Sequence, residues 1–208
     1  MKNNRTSATV LIVIACVAAV FAVRALRPDL GALWQKSVSE RSLGSDKAPL
    51  WITEYFDYQC PPCANARIAL EQTMAEHSGQ IYLQVRFFPL AAHKNALKAA
   101  VYAECASRQK GKFWKFHEEI FKHQAEWATD PYPQIKFAGY AEAAGLDLAR
   151  IDRCAEDAAV EKAILDEKKK AEELGVKITP TFFVNGKLVV GLNDLRSELK
   201  AFFEKQAK

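Results

Sequence analysis

The chain has 208 residues, 50% of them hydrophobic and 26% charged, with 29 Lys and Arg against 25 Asp and Glu. The formal charge of +4 is local: Lys2, Arg5, Arg24 and Arg27 lie in the first 27 residues with no acid among them, which leaves 25 basic against 25 acidic residues in the remainder. A neutral remainder excludes an electrostatic case for nucleic acid, and the chain shows no internal repeat or low-complexity tract.

In chain order, the first element is residues 1–27. A basic start, Met1-Lys2-Asn3-Asn4-Arg5, precedes an apolar run from Ala8 to Val23, the pattern of an export signal. The run is short for a spanning helix of about 20 residues. Extended to Leu26, with Arg24 snorkelling, it makes a membrane anchor. Val23-Arg24-Ala25 reads instead as a cleavage site, and Val13-Ile14-Ala15-Cys16 loosely as a lipoprotein box. We rank the anchor first, the cleaved signal second and the lipoprotein third. Each places the protein in the periplasm or on the outer face of the cytoplasmic membrane. Residues 28–45 read as a linker with a short helix around Leu30 to Val38. Residues 46–208 suit one domain with a sizeable core.

That domain opens on an apolar, aromatic run, Leu50 to Tyr58, expected as a buried strand. Cys60-Pro61-Pro62-Cys63 follows, and then a helical pattern from Ala64 to Glu71. Strand, dithiol and helix form the setting of a thiol–disulfide redox pair. Cys60 at the helix N-terminus gains thiolate character from the helix dipole, so it is expected to attack, and Cys63, one turn inside, to resolve. Proline is tolerated in the first helical turn, but Pro62 offers Cys60 neither a backbone donor nor a polar side chain. The expectation is a moderately activated Cys60 and a less oxidising disulfide than the strongest oxidants carry. The competing reading is half a zinc site. Zinc needs a second pair of ligands, no second CxxC exists, and the four histidines, His77, His93, His117 and His123, show no ligand spacing. No metal is expected.

Gln80 to Phe88 reads as a second strand, ended by Pro89, which completes a βαβ half over about 49–89. From about 92 to 174 the pattern is helical: Ala92–Arg108, Lys112–His123, Pro133–Ala144, Asp147–Ala155 and Val160–Leu174, with Gly111, Pro131, Pro133, Gly145 and Gly175 as breaks. Phe113, Trp114, Phe116, Phe121 and Trp127 have helical or near-helical spacing and read mostly as core, with His93 and His117 structural. Lys168-Lys169-Lys170 before Glu172-Glu173 reads as a solvated helix face with i,i+4 pairs. Gly175 to Gly191 parses as two short strands joined by Asn185-Gly186, a hairpin signal. Pro180 stands where a strand may start or a cis bond may form. Leu192–Lys205 closes the chain as a helix. Of five cysteines, Cys105 and Cys154 remain, each in a helical pattern. They are either bonded to each other, closing a loop of about 50 residues worth on the order of 4 kcal/mol, or free thiols packed as small hydrophobes.

Four stretches together resemble the DsbA type of thioredoxin-fold protein: Glu54 to Cys63, Ala103-Glu104-Cys105-Ala106, Lys112 to His117, and Thr179 to Gly186. The resemblance spans about residues 45–206. It implies an α/β thioredoxin fold with a helical insertion, preceded here by the apolar export or anchor segment. It implies a thiol–disulfide oxidoreductase whose redox group is the Cys60–Cys63 pair, with no external cofactor. By the same resemblance Pro180 is cis beside the dithiol, Thr179 pairs through its backbone with an extended substrate segment, Pro61 and Pro62 border that contact, and Glu54 is a buried carboxylate that moves the proton of Cys63, with Asp57 as rival. Family members often bond a pair at Cys105 and Cys154. The partners implied are exported proteins with cysteines and a membrane redox partner, either a quinone-linked oxidase or a membrane reductant. Two departures bear on direction. Pro61-Pro62 replaces the Pro-His of the strongest oxidases, and Thr179 resembles the isomerase and reductase branches. Residues 28–45 are too few for the dimerisation domain of the isomerases, which speaks against an isomerase, and the resemblance itself favours an oxidase over a reductase. A non-catalytic binding module would have lost a thiol or Pro180, and this chain keeps all three.

Overall fold

The computed structural model describes residues 36–206. The expected signal or anchor over 1–27, Cys16 with it, and residues 28–35 of the linker lie outside them. Among the described residues no helix is long and apolar enough to cross a membrane.

The order of elements is β1 (Ser42–Leu43), β2 (Leu50–Phe56), α1 (Pro61–Glu76), β3 (Ile81–Phe87), α2 (Ala96–Ser107), α3 (Phe113–Lys122), α4 (Gln124–Trp127), α5 (Pro133–Ala143), α6 (Leu148–Ala155), α7 (Ala158–Glu173), β4 (Thr181–Val184), β5 (Lys187–Val190) and α8 (Gly191–Gln206). Five strands form one sheet in the order β1-β3-β2-β4-β5. β2 is central, parallel to β3 with Glu54 opposite Val85, and antiparallel to β4 with Glu54 opposite Phe182. The period of two along a strand puts Leu50, Ile52, Glu54 and Phe56 on one face. β3 repeats that alternation, with Ile81, Leu83, Val85 and Phe87 buried. Tyr55 points to the other face, where it clusters with Phe88, Ala171 and Val176. A charged residue type at Glu54 thus sits in a buried row of apolar ones, on the strand that leads straight into the dithiol.

The hairpin of β4 and β5 turns on Asn185 (φ 46°) and Gly186 (φ 83°), the two left-handed positions that an Asn-Gly turn supplies. Gly44 (φ 85°) lets the chain after β1 pass against β3, since a Cβ there would lie 2.1 Å from the Ile81 carbonyl oxygen. The helical insertion, α2 to α6 and on to α7, packs around Phe113, Phe116, Trp127, Phe137 and Ile151, all buried. Cys105 of α2 and Cys154 of α6 are bonded, with Cα atoms 5.7 Å apart. Lys168 of the lysine run pairs with Glu172, but it also donates to the Pro89 carbonyl and lies over the Phe88 ring, so this face is only partly solvated.

One boundary is corrected. Residues 36–45, read as linker, belong to the folded unit: 36–40 are helical, β1 pairs with β3, and Ser37, Val38 and Arg41 are buried. Arg41 explains why. Its guanidinium lies 3.1 Å from Glu167 of α7 and 3.9 Å from Glu104 of α2, and 4.3 Å from the centre of the Phe87 ring. Arg86 and Arg108 complete the cluster on the same two acids. Buried charges persist only when paired in this way, and no hydropathy pattern announces an arginine whose partners are more than 60 residues away in sequence.

Candidate active site

β2 ends at Phe56, and Asp57, Tyr58 and Gln59 carry the chain to Cys60, the N-cap of α1. Pro61 and Pro62 fill the first two helical positions and are exposed. The prolines remove two of the N–H groups that would otherwise face the Cys60 sulfur. The first amide available is that of Cys63, which also closes the turn onto the Cys60 carbonyl at 3.0 Å. Cys60 is 5% exposed and Cys63 fully buried.

The two sulfurs have opposite electrostatics. The Cys60 thiol is lowered to about 6, first by the hydrogen bond from the Cys63 side chain, then against burial by the contacts to Thr179 and to the Cys63 amide. Cys63 is pushed well above the usual thiol range by burial, by its bond to Cys60 and by the nearby Glu54. The asymmetry makes Cys60 the thiolate and Cys63 the thiol.

Thr179 and Pro180, joined by a cis peptide bond, border the dithiol. The Thr179 carbonyl oxygen lies 3.5 Å from the Cys60 sulfur. Pro180 has no N–H to donate, and its carbonyl accepts from the Gly191 amide at 2.9 Å. Glu54 is 3% exposed, and its carboxyl is raised to about 8, mainly by burial and secondarily by the charge of Cys60. Asp57, its rival in the sequence reading, is committed elsewhere: it accepts from the Gln59 and Leu90 amides and pairs with His93 Nδ1 at 2.7 Å. That cluster holds the loop before Cys60 against the chain after β3.

Three groups at the site carry no signature in the sequence. The Gln59 amide donates to Ala128 O and accepts from the Asn95 amide, and Gln124 donates to the carbonyls of Tyr58 and Cys60. These side chains clamp the dithiol loop to the insertion. Tyr58, fully buried, lies 2.9 Å from His117 Nδ1, and burial pushes His117 down to about 3. Polar residues at such positions satisfy loop backbone groups, a demand that appears only once the chain is folded. No cluster of His, Cys, Asp and Glu suited to a metal ion occurs among the described residues.

A central sheet, a helix capped by a dithiol and a cis-proline beside it define the thioredoxin class, and the inserted helices narrow it. The family model described as Thioredoxin matches residues 36–205. A Na(+)/H(+) antiporter NhaA 1 of Mycolicibacterium vanbaalenii is 36% identical over 163 residues, 76% of this chain and 25% of that protein. The chain therefore spans about a quarter of the length of such relatives. The probable disulfide bond formation protein D of Bacillus cereus is 25% identical over 202 residues, 90% of this chain and 92% of that protein. The fold matches the crystal structure of Wolbachia pipientis α-DsbA1 at a TM-score of 0.66 and 22% identity, covering 79% of this chain and 91% of that one. The chain belongs to the thioredoxin family, and its fold is shared with a DsbA-type protein.

Proposed function

We propose that this protein is a cell-envelope oxidase that passes the Cys60–Cys63 disulfide to cysteine pairs of exported proteins. The observation that carries the reading is the split between a Cys60 thiol near 6 and a Cys63 thiol well above the usual range. A stabilised thiolate favours the reduced form, and a dithiol that prefers to be reduced is an oxidant when its disulfide is presented to another thiol.

In the forward direction a substrate thiolate attacks Cys60 Sγ. The Cys60–Cys63 bond breaks and Cys63 leaves with the electron pair. Its high proton affinity makes it a poor leaving group, and Glu54, neutral below about 8, supplies the proton. A second substrate thiolate then attacks the substrate sulfur of the mixed disulfide, and Cys60 departs as a thiolate that needs no proton at neutral pH. The Thr179 backbone, with Pro61, Pro62 and Pro180 around it, receives the substrate chain. Two electrons have passed to the cysteine pair, and a membrane redox partner reoxidises it. No cofactor takes part.

A value near 6 lies between the roughly 7 and roughly 3.5 that bracket attacking thiols of CxxC motifs. The missing donors at Pro61 and Pro62 account for the intermediate position. Equilibration of the pair with glutathione tests the reading. The expected reduction potential is above the roughly −270 mV of thioredoxin and below the roughly −120 mV of the strongest oxidants. A value at or below the thioredoxin figure reverses the direction to reductase.

A further inference from the structure

A pocket of about 340 Å³ opens between α1 and α3 over the β1–β3 edge of the sheet and reaches Glu54. Its walls are apolar, supplied chiefly by Leu43, Leu70, Met74, Leu83, Val85 and Trp114. Its size falls in the range of small-ligand sites, roughly 300 to 1,000 Å³, which pair apolar walls with a few polar groups.

The buried polar groups that line it, Glu54, His117 and the Arg67 Nε, are hydrogen-bond donors, while Glu71 and Glu118 place acidic side chains at its wall. Glu54 and His117 are each 3% exposed. Glu54 stays neutral to about pH 8, so its carboxyl keeps an O–H, and that carboxyl has no hydrogen-bond partner among the described residues. His117 is neutral, and its Nδ1 lies against the Tyr58 hydroxyl. Burial pushes the Tyr58 hydroxyl well up, so it keeps its proton, and no acceptor but Nδ1 stands beside it. Tyr58 therefore donates, and the imidazole proton sits on Nε2, which has no partner among the described residues. The Nε of Arg67 is buried without a partner as well, while its Nη1 is paired with Glu71 at 2.9 Å. Buried donors ordinarily find an acceptor.

We propose that this pocket binds an uncharged molecule with an apolar body and a carbonyl-type oxygen, and that its occupancy is linked to the redox state of the dithiol. An anion is disfavoured, because Glu71 already balances Arg67 and Glu118 adds a negative charge at the wall. A cation would meet donors at the floor. The link runs through Glu54. The charge of the Cys60 thiolate helps to hold its carboxyl neutral, and the disulfide form lacks that charge. An acceptor ligand therefore favours the dithiol form, and by reciprocity the ligand makes the pair easier to reduce. This linkage rests on the redox reading of Cys60 and Cys63, whereas binding itself does not.

The test is a methyl NMR titration of the dithiol protein at pH 8 with acetophenone, and with ethylbenzene, which keeps the ring and loses the oxygen. Acetophenone is expected to shift Leu70, Met74, Leu83 and Val85, and ethylbenzene to bind at least tenfold more weakly. Leu43→Trp, which places an indole at the half-open mouth, should abolish the acetophenone shifts while glutathione exchange at Cys60 continues at the native rate. Acetophenone should bind the disulfide form at least twofold more weakly than the dithiol. No shift at these methyls up to the solubility limit, equal binding of ethylbenzene, or unchanged binding in folded Leu43→Trp overturns the site. Equal affinity for the two redox forms overturns the linkage. Normal acetophenone binding in a protein that exchanges no disulfide overturns the proposed function and leaves the site standing.

Discussion

Replacing Glu54 by leucine should stabilise the reduced protein, by an amount that grows with pH. The carboxyl titrates near 4.5 in a solvated chain and near 8 in the folded one. Its folded value is raised, so the native state holds a proton that the unfolded state releases between these two values. Stability attributable to this group is therefore complete below about pH 4.5, falls as pH rises through the window, and reaches its lowest level above about 8. Each unit is worth about 1.4 kcal/mol. The carboxyl thus costs under about 1 kcal/mol at pH 5, about 3 kcal/mol at pH 7 and about 5 kcal/mol at pH 8.5. Leucine removes the titration, and a side chain of similar length fits the row formed by Ile52 and Phe56. Urea unfolding of the reduced native and Glu54→Leu proteins at pH 5, 7 and 8.5 measures the difference directly. A gain that widens over this series supports the burial argument. A gap independent of pH would refute it, because it would mean that Glu54 titrates alike in the folded and unfolded chains. The same variant should release Cys63 more slowly from the disulfide, since the leaving sulfur loses its proton source.

Iodoacetamide should modify Cys60 with a half-maximal rate near pH 6 and leave Cys63 unmodified through pH 8, as the opposite displacements of the two thiols require; equal reactivity of both at pH 7 would count against the assigned roles. Pro62→Ala restores a first-turn amide facing Cys60, so the alkylation midpoint should fall below 6 and the reduction potential should rise, with no change expected if the dipole alone sets the thiol. Serine at both Cys105 and Cys154 should lower stability by about 4 kcal/mol for a loop of 49 residues, read by urea unfolding, while glutathione exchange at Cys60 persists. Arg41→Ala leaves Glu104 and Glu167 partly uncompensated in the interior and should cost about 3 to 5 kcal/mol, whereas a residue in a true linker would cost nothing measurable.

Local rules carried the reading of this chain where the decisive contacts are local. The dithiol, its helix, the Asn185-Gly186 turn and the alternation along Ile81 to Phe87 all follow from neighbours a few residues apart, and the structure places them where periodicity and turn chemistry put them. Helix ends moved by a few residues, as at Ala92 against the observed start at Ala96, because capping depends on contacts that composition does not encode. The short α4 has one turn and no periodicity to announce it. Arg41 is silent in the sequence for a different reason. Its acids come from α2 and α7, and only the folded chain brings Glu104 and Glu167 to one place.

The sequence by itself determined the class of chemistry, since two thiols at a helix start can act on each other whatever surrounds them. What each thiol does was decided by the tertiary structure. Burial lifts Cys63, the hydrogen bond from the Cys63 thiol, helped by Thr179 and the Cys63 amide, draws Cys60 down, and closing the sheet over Glu54 keeps a proton there at neutral pH. A proton's affinity depends on the dielectric and the charges around it, and those exist only once distant segments meet.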